Sequence, residues 1–499
     1  MFELSIQDIE NNIEQFVHDL DEAVYICSER GMIEASLWAL EMVIGYDPIR
    51  SGKCKTSDVE KPDREALLSI GMSADESDQY HLALSLFKNR DYKQAIEVLG
   101  EPMHPKTTFL RFYSEYKLFE KKSEGITFDR LANGHDIFSA MATDITELES
   151  LSEELERLFN KKKLDPFGLY IYGVVLLKQH KRRLHQDHHH YPDQKQEQEE
   201  TNTLEATAKK VLIMSIRGYP YNWSAWLELA STVYNYEQYA DFQILLKIRL
   251  MDDPFIETPV KIMVNLILAR ICSFLELNID LYAEVIIHLK QYYFRNSPYM
   301  IGEWAKYLYI KKDHIEAARV FRELRAMFPA RMSEMEIYSS LLFHTSDKQE
   351  LKELADICTS TNEGTVEACI IRGNYFKIQN QFSQSNDYFT RAIMVQPDNH
   401  MAWLGLGHNY LELSKPLAAV KAYTQAIAIK EDDYRSYFGL GRAYEMMKAI
   451  KDALHYYQRA SDLCGDDTYA WMSLGESFER LGKQSKAKEC FAKVNIQRA

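Results

Sequence analysis

One residue pattern recurs at intervals of 34 positions through the last third of the chain. Its copies are Trp403, Leu406, Gly407, Tyr410, Ala419, Tyr423 and Ala426; then Tyr437, Leu440, Gly441, Tyr444, Ala453, Tyr457 and Ala460; then Trp471, Leu474, Gly475, Phe478, Ala487 and Phe491. One period upstream the skeleton reads Cys369, Arg372, Gly373, Phe376, Ser385, Phe389, Ala392 and Pro397. A fixed period of this length is typical of a repeat array, in which each unit stacks on its neighbours.

The spacing within each copy is that of the tetratricopeptide repeat, a pair of antiparallel helices. Small residues such as Gly407 and Ala419 let the two helices of a pair approach closely, and the aromatic residues fill the space between pairs. Glycine and proline are scarce, with 20 and 13 in 499 residues, so little interrupts the helices. The predicted fold is all-α: a tetratricopeptide solenoid of antiparallel helix pairs forming a right-handed superhelix.

Residues at the repeat positions are predicted to pack the helices together. They are Trp403, Gly407, Tyr410, Ala419, Tyr437, Gly441, Tyr444, Ala453, Trp471 and Gly475. Weaker copies in the same phase extend the array upstream to the N-terminus. We predict N-terminal repeats at 1–105, an irregular helical connector at 106–165, middle repeats at 166–297 and C-terminal repeats at 298–499.

One hairpin of the middle repeats carries an insertion between Leu176 and Ala208. It contains the stretch HQDHHHYPDQKQEQEETN, which is too polar to order itself by burying apolar surface. We predict a disordered loop at 185–203. Its histidines could ligate a metal, but contiguous histidines in such a loop more often bind nothing, and we predict no cofactor or metal site.

Charge and composition narrow the possible partners and compartments. The formal net charge of −15 argues against nucleic acid as a partner. The seven cysteines are scattered without a CxxC pair, which is typical of a reducing compartment. No apolar run approaches the roughly 20 residues of a membrane span, and no signal-peptide pattern opens the chain. We therefore expect a nuclear and cytoplasmic protein that does not bind membranes.

Three short motifs have both a chemical and a structural interpretation. The Gly-Leu-Gly triplets at 405–407 and 439–441 resemble part of a dinucleotide fingerprint, but no strand precedes them, and repeat packing explains them better. The run KQHKRR at 178–183 is either a nuclear import signal or, more simply, the solvated end of a helix. No catalytic motif occurs, and the repeats leave no room for a catalytic domain, so we expect a protein that is not an enzyme.

Several segments go beyond general repeat consensus. They are ERGMIEASLWALE, YPYNWSAWLELAS, TVEACIIRGNYF, AAVKAYTQAIAIKEDDYRSYFGLGRAYEMMK and ALHYYQRA. With them the chain resembles the subunit 8 (Cdc23) family of the anaphase-promoting complex, a ubiquitin ligase of the cell cycle. The resemblance implies a scaffold that homodimerises through its N-terminal repeats, docks onto other subunits of the complex and binds its WD-repeat coactivators.

The face of the array that would bind a peptide follows from the repeat register. In a solenoid of helix pairs the first helices line the concave side, so residues one and five places after the Trp403-type position face a groove. Asn374 would hold a peptide backbone, Glu412 would attract an arginine, and solvation of the face explains any single residue equally well. The candidate groove residues are Asn374, His408, Glu412, Phe438, Arg442 and Glu445.

A tetratricopeptide co-chaperone, or another adaptor that binds peptide tails, is the alternative function. To clamp an acidic tail, it would need a Lys/Asn cluster repeated over three consecutive first helices. The sequence has Asn374 without such a triplet. A pulldown that recovers either a chaperone or cullin-type ligase subunits would separate the two functions.

Overall fold

The computed structural model describes residues 6–46, 72–100, 104–132, 146–187, 195–251, 258–276, 279–361, 364–463, 468–480 and 482–498. Every regular element within these ranges is a helix, which confirms the predicted fold class. The residues fall into two compact units, Met1–Val233 with Gln238–Tyr307, and Tyr234–Glu237 with Leu308–Ala499. We call them unit 1 and unit 2.

The helices in chain order are α1 (Ile6–Glu29), α2 (Ile33–Ile44), α3 (Ala74–Lys88), α4 (Tyr92–Leu99), α5 (Pro105–Ala132), α6 (Thr146–Asn160), α7 (Pro166–Asp187), α8 (Lys195–Gly218), α9 (Trp223–Ala230), α10 (Tyr236–Leu246), α11 (Thr258–Leu275), α12 (Ile279–Tyr292), α13 (Pro298–Ile310), α14 (His314–Met327), α15 (Met335–His344), α16 (Lys348–Thr361), α17 (Val366–Ile378), α18 (Phe382–Val395), α19 (His400–Glu412), α20 (Pro416–Ile429), α21 (Tyr434–Met446), α22 (Ile450–Leu463), α23 (Thr468–Arg480) and α24 (Gln484–Arg498). A π-helical turn, Lys247–Met251, follows α10.

In unit 2 the predicted repeats correspond to successive helix pairs, α15/α16, α17/α18, α19/α20, α21/α22 and α23/α24. In the four pairs from α17/α18 to α23/α24, the first helix carries the Trp403-type residue, and the second carries the small residue and the aromatic ring that follow it. The pair α15/α16 is degenerate, because Leu351 and Ala355 stand at the positions of the small residue and the ring. Trp403, Ala419, Tyr423 and Ala453 are buried as the packing prediction requires. The tetratricopeptide assignment is thereby confirmed.

The glycines of the repeats leave room for aromatic rings rather than for the small residue of the second helix. A Cβ atom on Gly407 would lie 2.7 Å from Cε1 of Tyr423, and one on Gly405 would lie 2.5 Å from Cζ of Phe389. Tyr423 in turn is enclosed by Gly407 of its own pair and Gly439 of the next. Each ring is therefore clamped between two first helices, and this explains the Gly-Leu-Gly spacing.

A left-handed residue closes the hairpins of unit 2, again at intervals of 34 residues. The positions are Lys312 (φ 65°), Ser346 (φ 59°), Asn380 (φ 60°), Ser414 (φ 56°), Lys448 (φ 63°) and Gly482 (φ 72°). Only the last is glycine, the residue that adopts this conformation without steric cost. The sequence therefore gave no signal of this turn, although its geometry repeats as regularly as the packing residues.

Unit 1 is built from the same kind of pairs with larger departures from the repeat. Trp226 donates from Nε1 to the carbonyl of Pro220 at 2.7 Å, just as Trp403 in unit 2 donates to Pro397 at 2.8 Å. Trp38 of α2 stacks on Trp223 of α9, with ring centroids 4.3 Å apart. Within the described residues, the connector predicted at 106–165 consists of most of the long helix α5, the whole of α6 and a non-helical stretch at 161–165.

The insertion in the α7/α8 hairpin differs from the predicted loop at 185–203. Helix α7 runs to Asp187 and α8 begins at Lys195, while 188–194 lie outside the described residues. The prediction of a loop was therefore wrong for 185–187 and 195–203. The loop was predicted because the segment has low hydrophobicity. The run KQEQEE nevertheless consists of good helix formers, which extend a helix whose later residues are already packed.

The basic run KQHKRR in α7 is not a solvated helix end. Lys178 pairs with Glu120 at 3.4 Å and Arg183 with Glu149 at 3.0 Å, and Arg182 donates to Ser123 at 2.9 Å. Gln179 and His180 are buried. The run instead ties α7 to α5 and α6 within unit 1.

We predict that Gly407→Ala lowers the melting temperature of the chain by about 5 °C, because the new methyl overpacks the buried Tyr423 ring. Gly125→Ala is the matched control. Gly125 lies on α5 with no atom near its would-be Cβ, so alanine should leave stability unchanged or raise it slightly. Thermal unfolding followed by circular dichroism at 222 nm tests both. Equal melting curves for the two variants would contradict the clamp.

Candidate functional site

The first helices α15, α17, α19, α21 and α23 of unit 2 lie side by side, and we call the surface that they share the first-helix face. Local sequence fixes where three of them begin. Thr365, Asn399 and Asp433, spaced 34 residues apart, each accept a hydrogen bond from the backbone N–H three residues later. Such N-caps provide acceptors for backbone N–H groups of the first turn, which have no partner within the helix. Because the starts keep one phase, equivalent positions of successive helices become neighbours.

Asn374 joins α17 to α15 on this face. It is buried, and its Nδ2 donates to Oγ of Ser339 at 2.9 Å and to Oγ of Ser340 at 3.4 Å. Its amide therefore already makes hydrogen bonds between two first helices. The role predicted for Asn374, holding a peptide backbone, stays a prediction, and substitution of this residue would also disturb the packing of the face.

His408 of α19 lies against Lys377 of α17, a residue that the sequence analysis did not select. Nζ of Lys377 is 3.3 Å from Nδ1 of His408 and 4.6 Å from the centroid of the Phe343 ring. Burial and then the charge of Lys377 hold the pKa of His408 well below its usual range, so its imidazole is neutral at pH 7. Burial lowers the pKa of Lys377 to about 8, against the opposing charge of Glu412.

Two ion pairs lie farther along the face, Arg442 with Glu412 and Arg480 with Glu445. Arg442 lies 3.8 Å from Glu412, and both side chains are nearly half exposed, at 46% and 47%. Such a surface pair stabilises a fold by only about 0 to 1 kcal/mol and can be exchanged for a ligand charge. Glu445 is more enclosed because Arg480 and the hydroxyl of Tyr457 both bind it.

Two tyrosines at equivalent repeat positions differ in their hydrogen bonding. Tyr457 donates from its hydroxyl to Glu445 at 2.7 Å. The hydroxyl of Tyr423 is fully buried and has no hydrogen-bond partner among the described residues. The residue equivalent to Glu445 in its pair is Leu411, which cannot accept a hydrogen bond. Phe438, the remaining candidate, packs with its ring centroid 5.5 Å from that of Tyr457.

A Ser, a His and an Asp meet at the start of α21 without the order that catalysis needs. Asp433 lies 3.0 Å from Nε2 of His400, accepts from the Ser436 hydroxyl at 2.9 Å and caps the helix. In a hydrolytic triad the histidine lies between the other two. All three residues are buried, and Arg435 and His400 hold the pKa of Asp433 well below its usual range although burial opposes this. The cluster is a helix cap.

Lys377 was not among the predicted groove residues, although it stands eight residues after the Trp403-type residue of its repeat, as Glu445 does. It lies three residues beyond Asn374 and on the same side of α17. The prediction selected residues by their charge type in each repeat and passed over this lysine. The missing acceptor for the Tyr423 hydroxyl could not be predicted from the sequence, because it depends on which residue faces that hydroxyl in the folded helix pair.

The described ranges contain no candidate metal site and no candidate membrane span. They contain no group of three or more His, Cys, Asp and Glu residues arranged to hold a metal ion. None of their helices is long and apolar enough to cross a membrane. The histidines 188–190 lie outside the described residues.

The fold and the first-helix face define a tetratricopeptide-repeat protein. A general tetratricopeptide repeat profile matches residues 404–468. Among solved structures the chain is similar to a chain of the Cut9–Hcn1 hetero-tetramer of the anaphase-promoting complex, with a TM-score of 0.55 and 15% identity over 87% of this chain and 80% of that one. At this identity the likeness shows the fold alone.

The profile of the family described as anaphase promoting complex subunit 8 / Cdc23 matches residues 15–188 and 197–305, and the chain belongs to this family. It is 28% identical to anaphase-promoting complex subunit 8 of Arabidopsis thaliana over 79% of this chain and 65% of the relative. It is 30% identical to the cell division cycle protein 23 homolog of Mus musculus over 66% of this chain and 46% of the relative. The chain thus spans about half to two thirds of the length of these relatives.

We predict opposite outcomes for the two equivalent tyrosines. Tyr457→Phe should destabilise the fold by about 1 to 2 kcal/mol because it leaves the buried side of Glu445 without a donor. Tyr423→Phe removes a hydroxyl that has no partner and should leave stability unchanged or raise it. Urea unfolding of the two variants in parallel measures this. A loss as large for Tyr423→Phe as for Tyr457→Phe would mean that its hydroxyl has a partner.

Proposed function

We propose that this chain is a non-catalytic scaffold of the anaphase-promoting complex, a ubiquitin ligase, and that it works in the nucleus and cytoplasm. Membership of the subunit 8 / Cdc23 family carries the proposal. It is supported by a repeat fold that offers extended surfaces. Within the described residues, the one cluster with triad composition is a buried helix cap.

We further propose that the first-helix face binds an extended segment of a WD-repeat coactivator that carries an arginine and apolar side chains. The face supplies one carboxylate that can change partners, Glu412, because its pair with Arg442 is long and half exposed. Phe438 and the neutral ring of His408 lie on the same face and offer flat surfaces for an apolar side chain or a guanidinium plane. Glu445 is less available because Tyr457 and Arg480 hold it.

The N-terminal repeats at 1–105 are proposed to form a homodimer. Helix α2 buries Ala35, Trp38, Ala39 and Met42 on one side. On its other side lies a continuous apolar stripe, Ile33, Leu37, Leu40 and Ile44, exposed by 63%, 51%, 39% and 57%. The spacing i, i+4, i+7, i+11 is that of a helix packing against another helix. A second copy of the chain can cover both stripes at once through a two-fold interface.

Glu412→Gln is expected to weaken coactivator binding about tenfold, since it removes one charge-assisted hydrogen bond. Biolayer interferometry on an immobilised WD-repeat coactivator measures the affinity. Glu431→Gln, at an exposed glutamate between α20 and α21, is the matched control and should bind as the wild type does. If the two variants bind equally well, Glu412 does not receive the arginine. Asn374→Ala should weaken binding too, but its melting temperature must be measured alongside.

The double substitution Leu37→Glu with Leu40→Glu should convert a dimer to a monomer of 58.3 kDa, because it places charges in the apolar stripe. Multi-angle light scattering at micromolar concentration reports the mass. Leu417→Glu, at a leucine of α20 that is 71% exposed, is the control and should leave the dimer intact. A wild-type chain that already runs as a monomer would refute the proposed dimer.

A further inference from the structure

Among the described residues, Lys377 has no carboxylate as a close partner, whereas three arginines on the first-helix face or at its edge each have one. Its ammonium contacts only the imidazole of His408 and the ring of Phe343, and no carboxylate of the described residues lies within 4 Å of it. On the same face Arg442 pairs with Glu412, and Arg480 with Glu445. At the edge of the face Arg435 lies 2.8 Å from Asp433. Lys377 is therefore the unbalanced charge.

The surroundings of Lys377 give it little compensation. An ammonium has three donors, and the neutral imidazole of His408 can accept one of them. In unit 1 Lys306, which is more deeply buried than Lys377, lies 2.7 Å from the carboxylate of Glu303, the usual arrangement for a buried lysine. The lowered pKa of Lys377 agrees with an ammonium that has lost water, since burial outweighs the opposing charge of Glu412.

A second polar group in the same place also lacks an acceptor. The ring of Tyr423 lies edge-on to His408, with centroids 5.6 Å apart, and its buried hydroxyl is the one described above as having no partner. Lys377 and Tyr423 approach His408 from α17 and α20. The Tyr423 hydroxyl is fully buried, whereas Lys377 is only partly buried, so the ammonium is the donor that a ligand can reach. A ligand that binds it must bring an acceptor such as a carboxylate oxygen.

We propose that Lys377, together with His408, forms a subsite for the carboxylate of an aspartate or glutamate side chain, located in the same extended segment whose arginine binds Glu412. The inference rests on the proposed function and adds a second charge to the segment. His408 and Glu412 are one helical turn apart, roughly 5 to 6 Å. An extended chain advances roughly 3.3 Å per residue, so the acidic residue should stand about two to three residues from the arginine.

A peptide library tests the subsite on the full chain. The probes are ten-residue peptides, acetylated and amidated, with one fixed central arginine and all other positions randomised. The wild-type chain should select aspartate or glutamate at one fixed distance from the arginine. Lys377→Met, which keeps the stem against Phe343, should lose that preference at least tenfold and still select the arginine. Lys377→Glu should replace it with a preference for lysine or arginine.

Two controls separate this inference from the proposed function. Lys451→Met, at an exposed lysine of α22, should behave as the wild type does, and Glu412→Gln should lose selection of the arginine while retaining the acidic preference. If the wild-type chain selects the arginine but no acidic residue, or if the acidic preference survives Lys377→Met, the subsite is overturned and the proposed arginine site still stands. Stronger binding of peptides with a free C-terminal carboxylate, or with phosphoserine in place of the acid, would also overturn it. If no arginine peptide binds the wild-type chain, the proposed groove fails as well.

Discussion

The clamping of one aromatic ring between two first helices is the contact on which the rest of unit 2 depends. Tyr423 fits because Gly407 and Gly439 have no side chains to occupy its space. Alanine at either glycine would push apart helices that must stay parallel for the next pair to stack. The first-helix face is a consequence of this packing, since equivalent positions become neighbours only when every pair repeats the same approach.

The period and the glycine and aromatic skeleton were enough to predict the fold, because packing residues must match a fixed geometry and few residue types do so. The site was predicted less well. Asn374 was predicted to hold a peptide, and this stays a prediction; its hydrogen bonds within the chain depend on Ser339 and Ser340, in a repeat too degenerate to align by its skeleton. The prediction of a solvated helix end for the basic run of α7 was wrong for a different reason. Charge alone cannot show whether acidic residues on neighbouring helices will pair with the run. Ion pairing between helices depends on two segments of the chain, so it cannot be predicted from the sequence of one segment.

Family membership and the candidate site rest on different parts of the chain. The family profile matches up to residue 305, which is mostly unit 1, whereas the face around Asn374 to Glu445 lies in unit 2, where a general repeat profile matches 404–468. Charge and hydrogen bonding on the face itself are therefore the features that indicate a particular ligand. Paired arginines and one unpaired lysine are the features that distinguish it from a merely solvated surface.

The left-handed turn that closes each hairpin of unit 2 offers an internal experimental series. The same backbone geometry occurs at Lys312, Ser346, Asn380, Ser414 and Lys448, and at Gly482 the natural residue is already glycine. Glycine placed at each of the other positions would relieve the same local strain and add the same freedom to the unfolded chain. Whatever differences remain between the resulting stabilities would measure how strongly each hairpin is held by its neighbours. The six equivalent turns therefore allow cooperativity along the array to be measured within one protein.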